Sequence, residues 1–170
     1  MAFDGLHIIW TTYNSWQPCD ARGNWSALHD LYKQLAQNGH YYELSAPLRE
    51  SIPKAELSIN ATALTPSDRN AVKDYLSELV APNGDRIAGG LPIVCHAVTP
   101  TVVQLLVVPA VASHNQIIGR LKSKTASGLI QSSEGKGQKH IWSSGYWFAN
   151  INGEEAIAKI EQFIHQQSSD

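Results

Sequence analysis

The run Ile93–Pro109, I-V-C-H-A-V-T-P-T-V-V-Q-L-L-V-V-P, constrains the fold more than any other part of the chain. Two apolar stretches rich in β-branched residues, Ile93 to Val98 and Val102 to Val108, are separated only by Thr99-Pro100-Thr101. β-Branched side chains pack well on a pleated surface and proline presets a turn torsion, so this run predicts two neighbouring strands in the middle of a sheet. Such a sheet needs further strands and covering helices from the rest of the chain.

Leu6 to Tyr13 supplies a third strand, and its imperfect alternation marks it as buried. Residues 14–25 then break the pattern with Pro18, Gly23, Asn and Asp in a loop that carries Trp16 and Trp25. Ser26 is placed to cap a helix from Ala27 to Gln37, with Leu28, Leu31 and Leu35 on one face and Gly39 as terminator. Signals weaken over 40–63, where Pro47 and Pro53 divide short segments and Glu56 to Ala61 is a candidate strand. Thr65-Pro66-Ser67-Asp68 is a clear helix start, followed by Val72, Tyr75, Leu76 and Leu79 at helical spacing until Pro82-Asn83-Gly84. Asn83 to Gly90 reads as a turn. Ser113 caps a third helix, His114 to Lys124, which buries Ile117, Ile118 and Leu121. Gln131 to Gln138 reads as a loop and Ser143 to Ile151 as a turn and an edge strand. The last helix starts with Asn152 as cap and Glu155 completing a capping box, and carries Ala156, Ile157, Ile160, Phe163 and Ile164 on one stripe. This order suits an α+β sandwich of the ferredoxin-like kind: an antiparallel sheet with helices mainly on one face, in one domain over residues 1–170.

Composition narrows the function. With 43% hydrophobic and 16% charged residues, the 170-residue chain is an ordinary globular one, long enough to bury a core unaided by disulfide or metal. A net charge of -2 provides no general basic field, so any nucleic-acid contact must come from local clusters such as Arg120, Lys122 and Lys124. A cluster of this kind is usually a solvated helix face. Cys19 and Cys95 make no disulfide framework. Neither a basic leader nor an apolar run of roughly 18 to 20 residues is present, which predicts a cytoplasmic protein outside the membrane. Phosphate-cradling glycine loops, metalloprotease His pairs and nucleophile elbows are also missing from the sequence.

Several segments share one resemblance. Thr12-Tyr13, Trp16, Pro18, Asp20, Arg22-Gly23 and Trp25 follow, in order and spacing, the opening of a branch of the single-tyrosine HUH transposases, the insertion-sequence-200/605 and REP-associated group. Leu121 to Leu129 is similar to that family's Leu-Lys segment with small and hydroxylated residues, and Trp142 to Phe148 to its Trp, polar, Gly, aromatic block. The resemblance implies a ferredoxin-like fold, a homodimer, single-stranded or hairpin DNA as partner, and Mg²⁺ or Mn²⁺ in active members. It also implies DNA contacts at Trp16, Arg22, Trp25, Arg120, Lys122 and Lys124. The loop residues have a plainer reading too, with Trp16 and Trp25 capping the sheet edge and Arg22 paired to Asp20.

The chemistry of that family is replaced here. Its metal-binding histidine pair falls on Val102 and Gln104, its nucleophilic tyrosine on Phe163, and its third metal ligand on Gln167. A phenyl ring has no oxygen to attack phosphorus, so the resemblance implies a transposase-like DNA-binding protein unable to cleave, with no cofactor expected. Two alternatives stay open. One is a domesticated, non-catalytic dimeric scaffold for protein partners. The other is a metal-dependent nuclease with a rebuilt site in which His96 joins Gln104, His165 and Gln167, or in which Tyr146 replaces the nucleophile. A lone strand histidine such as His96 is more often a hydrogen-bonded core residue, and amide oxygens are weak partners for a transition metal.

Overall fold

The computed structural model describes residues 3–13, 15, 25–39, 42–44, 63–80, 91–108, 113–132 and 141–168. Trp16, Cys19, Arg22, the candidate strand Glu56 to Ala61 and the turn Asn83 to Gly90 lie outside them. In chain order the elements are β1 (Gly5–Thr11), α1 (Ser26–Gln37), β2 (Tyr42–Leu44), α2 (Pro66–Leu79), β3 (Ile93–Val98), β4 (Val102–Val107), α3 (His114–Ser132), β5 (Trp147–Ile151) and α4 (Glu154–Gln167).

The strands form one antiparallel sheet in the order β2-β5-β1-β4-β3. β3 and β4 are joined through the predicted turn, where the Thr99 hydroxyl accepts from the Val102 amide at 3.1 Å. β4 lies between β1 and β3, and β1 lies between β4 and β5, so two β-α-β units interlock in the ferredoxin-like manner. The fold is α+β, as the sequence predicts. β5 corrects the edge-strand expectation: the three-residue β2 pairs outside it, from the region of weak sequence signal.

Helices cover both faces of the sheet. Leu6, Ile8 and Trp10 of β1 and Val103, Leu105 and Val107 of β4 pack with Val72 and Leu76 of α2 and Ile117 and Leu121 of α3. On the other face Ile9, Leu106, Trp147, Ala149 and Ile151 pack with Leu28, Tyr32 and Leu35 of α1 and Ala156, Ile160 and Ile164 of α4. Helices mainly on one face were expected; α2 and α3 make that layer, and α1 with α4 makes a second. Burial on both faces explains the near-continuous apolar runs, since every residue of β1 is buried.

The helix starts follow the sequence unevenly. Thr65 and Asp68 form a reciprocal capping box at α2, each side chain accepting from the other's amide at 3.1 Å. At α1 the cap position is Trp25 rather than Ser26. At α4 it is Gly153, with φ 98°, rather than Asn152; the Gly153 amide donates to the Asp4 carboxylate at 2.9 Å. α3 continues to Ser132, past the predicted end at Lys124 and into the predicted 131–138 loop. Among the described residues no helix is long and apolar enough to cross a membrane.

Candidate functional site

Strand alternation decides what the second layer's interior contains. In β4, Val102, Gln104 and Leu106 point toward α1 and α4, while Val103, Leu105 and Val107 point the other way. Val102 and Phe163 are half-buried against the same apolar cluster. The fold therefore brings together, on one face, the positions that the sequence resemblance assigns to two metal ligands and the nucleophile. Their side chains are an alkyl group, an amide and a phenyl ring.

The amide is already engaged. Gln104 is buried, and its Oε1 lies 3.2 Å from His7 Nε2, which fixes that ring nitrogen as the donor. His7 Nδ1 then accepts from the Tyr32 hydroxyl at 2.8 Å. The imidazole stacks on Tyr32 and meets Trp147 edge-on, with ring centroids 6.1 and 5.4 Å apart. Desolvation by complete burial pushes the His7 pKa down to about 4, against a smaller upward pull from Gln104. Sequence reading passed over His7 and Tyr32, which look like one more strand residue and one more helix residue. Their only signal was a histidine in the most apolar part of the first strand.

A divalent metal does not fit these residues. Val102 offers no donor atom, Gln104 holds His7, and among the described residues no three His, Cys, Asp or Glu side chains gather as a metal site. The rebuilt-site alternative does not assemble. His96 is opposite Leu105 in the register and Ala97 is opposite Gln104, so His96 and Gln104 project to opposite faces. His165 is exposed on α4, 3.6 Å from the Glu161 carboxylate. Tyr146, the substitute nucleophile, hydrogen-bonds His114 Nδ1 at 2.7 Å and donates to Asn115 Oδ1; desolvation raises its pKa, which disfavours the phenolate.

The basic cluster on α3 divides in two. Arg120 and Lys124, one turn apart, are exposed. Lys122 turns inward and donates to the carbonyl oxygens of Ser143 and Gly145, at 2.5 and 3.2 Å. Burial pushes its pKa down to about 8. The small and hydroxylated residues after it also serve packing. Thr125 is buried, donates to the Leu121 carbonyl at 2.8 Å and accepts from the Trp142 indole at 3.1 Å. Trp25 is half-buried against the α1–α4 layer.

Gln167, the last residue of α4, opens onto a cleft that sequence reading missed. The cleft, about 370 Å³ in volume, lies where the sheet ends at β3. It is lined by Arg69, Asn70 and Lys73 of α2, by Thr99 and Pro100 of the β3–β4 turn, and by Gln167 and Ser168. Arg69 and Lys73 share a helix face, which the amphipathic pattern of α2 shows only as a polar side.

Neither a family model nor a curated protein matches the sequence. Among solved structures, the chain is similar to a "putative transposase" from Deinococcus radiodurans R1, at 16% identity and a TM-score of 0.49, over 98% of this chain and 92% of that one.

Proposed function

We propose that this protein is a relative of the single-tyrosine HUH transposases that binds single-stranded or hairpin DNA and does not cleave it. One observation supports the reading: Val102 and Phe163 pack against the same apolar layer, Gln104 is bonded to His7, and so the positions that the resemblance assigns to reactive groups hold side chains that pack or bond within the fold. A phosphoryl-transfer site needs a nucleophile and a positioned cation. Phe163 offers no oxygen, and Gln104 serves as the acceptor that holds a neutral imidazole in place. The bonds made by His7, Gln104 and Tyr32 give that part of the layer a structural purpose, consistent with a fold kept for binding.

DNA contact in this reading falls to Trp25, Arg120 and Lys124 among the described residues, together with Trp16 and Arg22. Lys122 is excluded because its ammonium is spent on two carbonyl groups. The homodimer belongs to the same proposal, and sedimentation velocity measures it directly.

Incubating the protein with a labelled single-stranded hairpin and Mg²⁺ or Mn²⁺, followed by native and denaturing gels, tests the reading. A native shift without nicking is the expected result. A covalent protein–DNA adduct would overturn it and direct attention to Tyr146. Neither shift nor nicking, across hairpins of varied sequence and at low salt, would favour the protein-binding scaffold.

A further inference from the structure

We infer that the cleft between α2, the β3–β4 turn and the end of α4 binds the phosphodiester backbone of single-stranded DNA, with Arg69 and Lys73 as its cations. The inference rests on the DNA-binding reading above and gives it a location whose cations, Arg69 and Lys73, lie outside the residues assigned to DNA contact so far.

Charge is the first support. The protein carries a net charge of -2, yet among the described residues its cleft is lined by two cations and no carboxylate. Arg69 and Lys73 stand one helical turn apart on the same wall, which is the spacing of i, i+4 neighbours. Asn70 and Gln167 add amide donors, while the Thr99 and Ser168 hydroxyls already donate to main-chain carbonyls. This is the donor set of a phosphate site: a planar guanidinium suited to two phosphate oxygens, a point charge beside it, and neutral donors around them.

The second support is unmet hydrogen bonding. Arg69 Nε is buried without a partner. Buried polar atoms are nearly always satisfied, so an unpartnered Nε on a residue that lines the cleft calls for a group that enters it. A phosphate oxygen would satisfy the guanidinium.

The cleft does not depend on the start of α2 for its attraction. Pro66 has no amide hydrogen, and the Thr65–Asp68 capping box uses two of the free donors there. What remains is side-chain charge, which favours a sequence-independent backbone contact over recognition of a particular small anion. Pockets for small ligands are typically about 300 to 1,000 Å³, so a cleft of about 370 Å³ suits a nucleotide unit of a passing strand.

The test is fluorescence anisotropy with a labelled random-sequence single-stranded oligonucleotide at low and moderate salt. The proteins compared are wild type, Arg69→Ala, Lys73→Gln, their double variant, and Lys33→Gln as a control on the exposed face of α1. Each cleft substitution should weaken binding about threefold to tenfold, and the double variant should flatten the log–log salt dependence by about two. Asn70→Glu, at an exposed position, should weaken binding similarly and serves if Arg69→Ala melts early by circular dichroism. A wild type that binds with unaltered affinity in all cleft variants would overturn this proposal and leave the DNA-binding reading standing. A wild type that binds no oligonucleotide would overturn both. Inorganic phosphate titrated into ¹⁵N-labelled protein separates a further case: cleft amides that shift with phosphate, while oligonucleotide binding ignores the cleft, would reassign it to free anions and refute the backbone contact.

Discussion

At the scale of single residues, His7 is the most consequential group that the sequence did not reveal. Its partners are 25 residues away in Tyr32 and 97 away in Gln104. No local pattern relates those three positions; only the register of β1 against β4 and the docking of α1 bring them together. By contrast Phe163 and Gln104 were legible as replacements because they stand at motif positions. The neutral imidazole makes stability depend on pH. Folded His7 resists protonation down to about pH 4, whereas an unfolded histidine takes its proton near 6.5. Between those values the unfolded chain holds more protons, so falling pH favours unfolding, by about 1.4 kcal/mol per unit and on the order of 3 kcal/mol across the window. His7→Phe keeps a ring but removes the nitrogen atoms that Tyr32 and Gln104 bond. It should be less stable than wild type at pH 7.5 by about 1–3 kcal/mol, and should lose less stability on going to pH 5. Urea unfolding at the two pH values measures this, and equal pH dependence in both proteins would refute it. Gln104→Leu, which removes only the acceptor on His7 Nε2, should also cost about 1–3 kcal/mol.

At the scale of elements, α3 shows how a helix can be read correctly in kind and wrongly in extent. Thr125-Ala126-Ser127-Gly128 looks like a break by composition. In the fold these small residues let α2 approach: a side chain at Gly128 would meet the Tyr75 ring at 2.2 Å, and Ala126 packs against the first core layer. Tertiary packing, invisible to a local window, overrides the weak propensity. The same helix separates charges that sequence placed in one cluster. Lys122→Met should destabilise the protein by about 1–3 kcal/mol because the Ser143 and Gly145 carbonyls lose their donor. Arg120→Ala and Lys124→Ala should stay within about 0.5 kcal/mol of wild type. Thermal melts of the three variants give the comparison, and an equal loss in all of them would contradict the division. The start of α2 was fully legible, since a capping box is a local arrangement. Thr65→Ala should cost about 1 kcal/mol, or roughly 2–4 °C in Tm for a chain of this size.

At the scale of the whole molecule, the sequence conveyed the β3–β4 pair but misplaced half of it: β4 is inside the sheet, while β3, expected in the middle, lies at one margin, and β2 at the other margin was missed. Ile93 to Val98 and Val102 to Val107 were legible because buried strands carry long β-branched runs; Tyr42–Leu44 was not, because three residues make too short a pattern to register. The division of helices between two faces was also hidden. Amphipathic spacing tells which side of a helix is buried, but not which side of a sheet receives it. With β1 and β4 inside the sheet and β3 at a margin, hydrogen exchange should rank them in that order. Amides of Ile8, Ile9 and Leu105 should exchange at least about tenfold more slowly than that of Val94, which is 45% exposed; comparable rates would count against the strand order. That order also bears on how the chain reaches its fold during synthesis. Leu6 pairs with Val107, about 100 residues downstream, and Gly5 pairs with Ile151, further still. At about 5–20 residues per second on a ribosome, Gly-Leu-His-Ile-Ile-Trp-Thr waits for several seconds as an unpaired, aggregation-prone strand before either neighbour exists. Of the described strands β1 is thus made first, and its pairing on both sides is completed only once β5 has been synthesised.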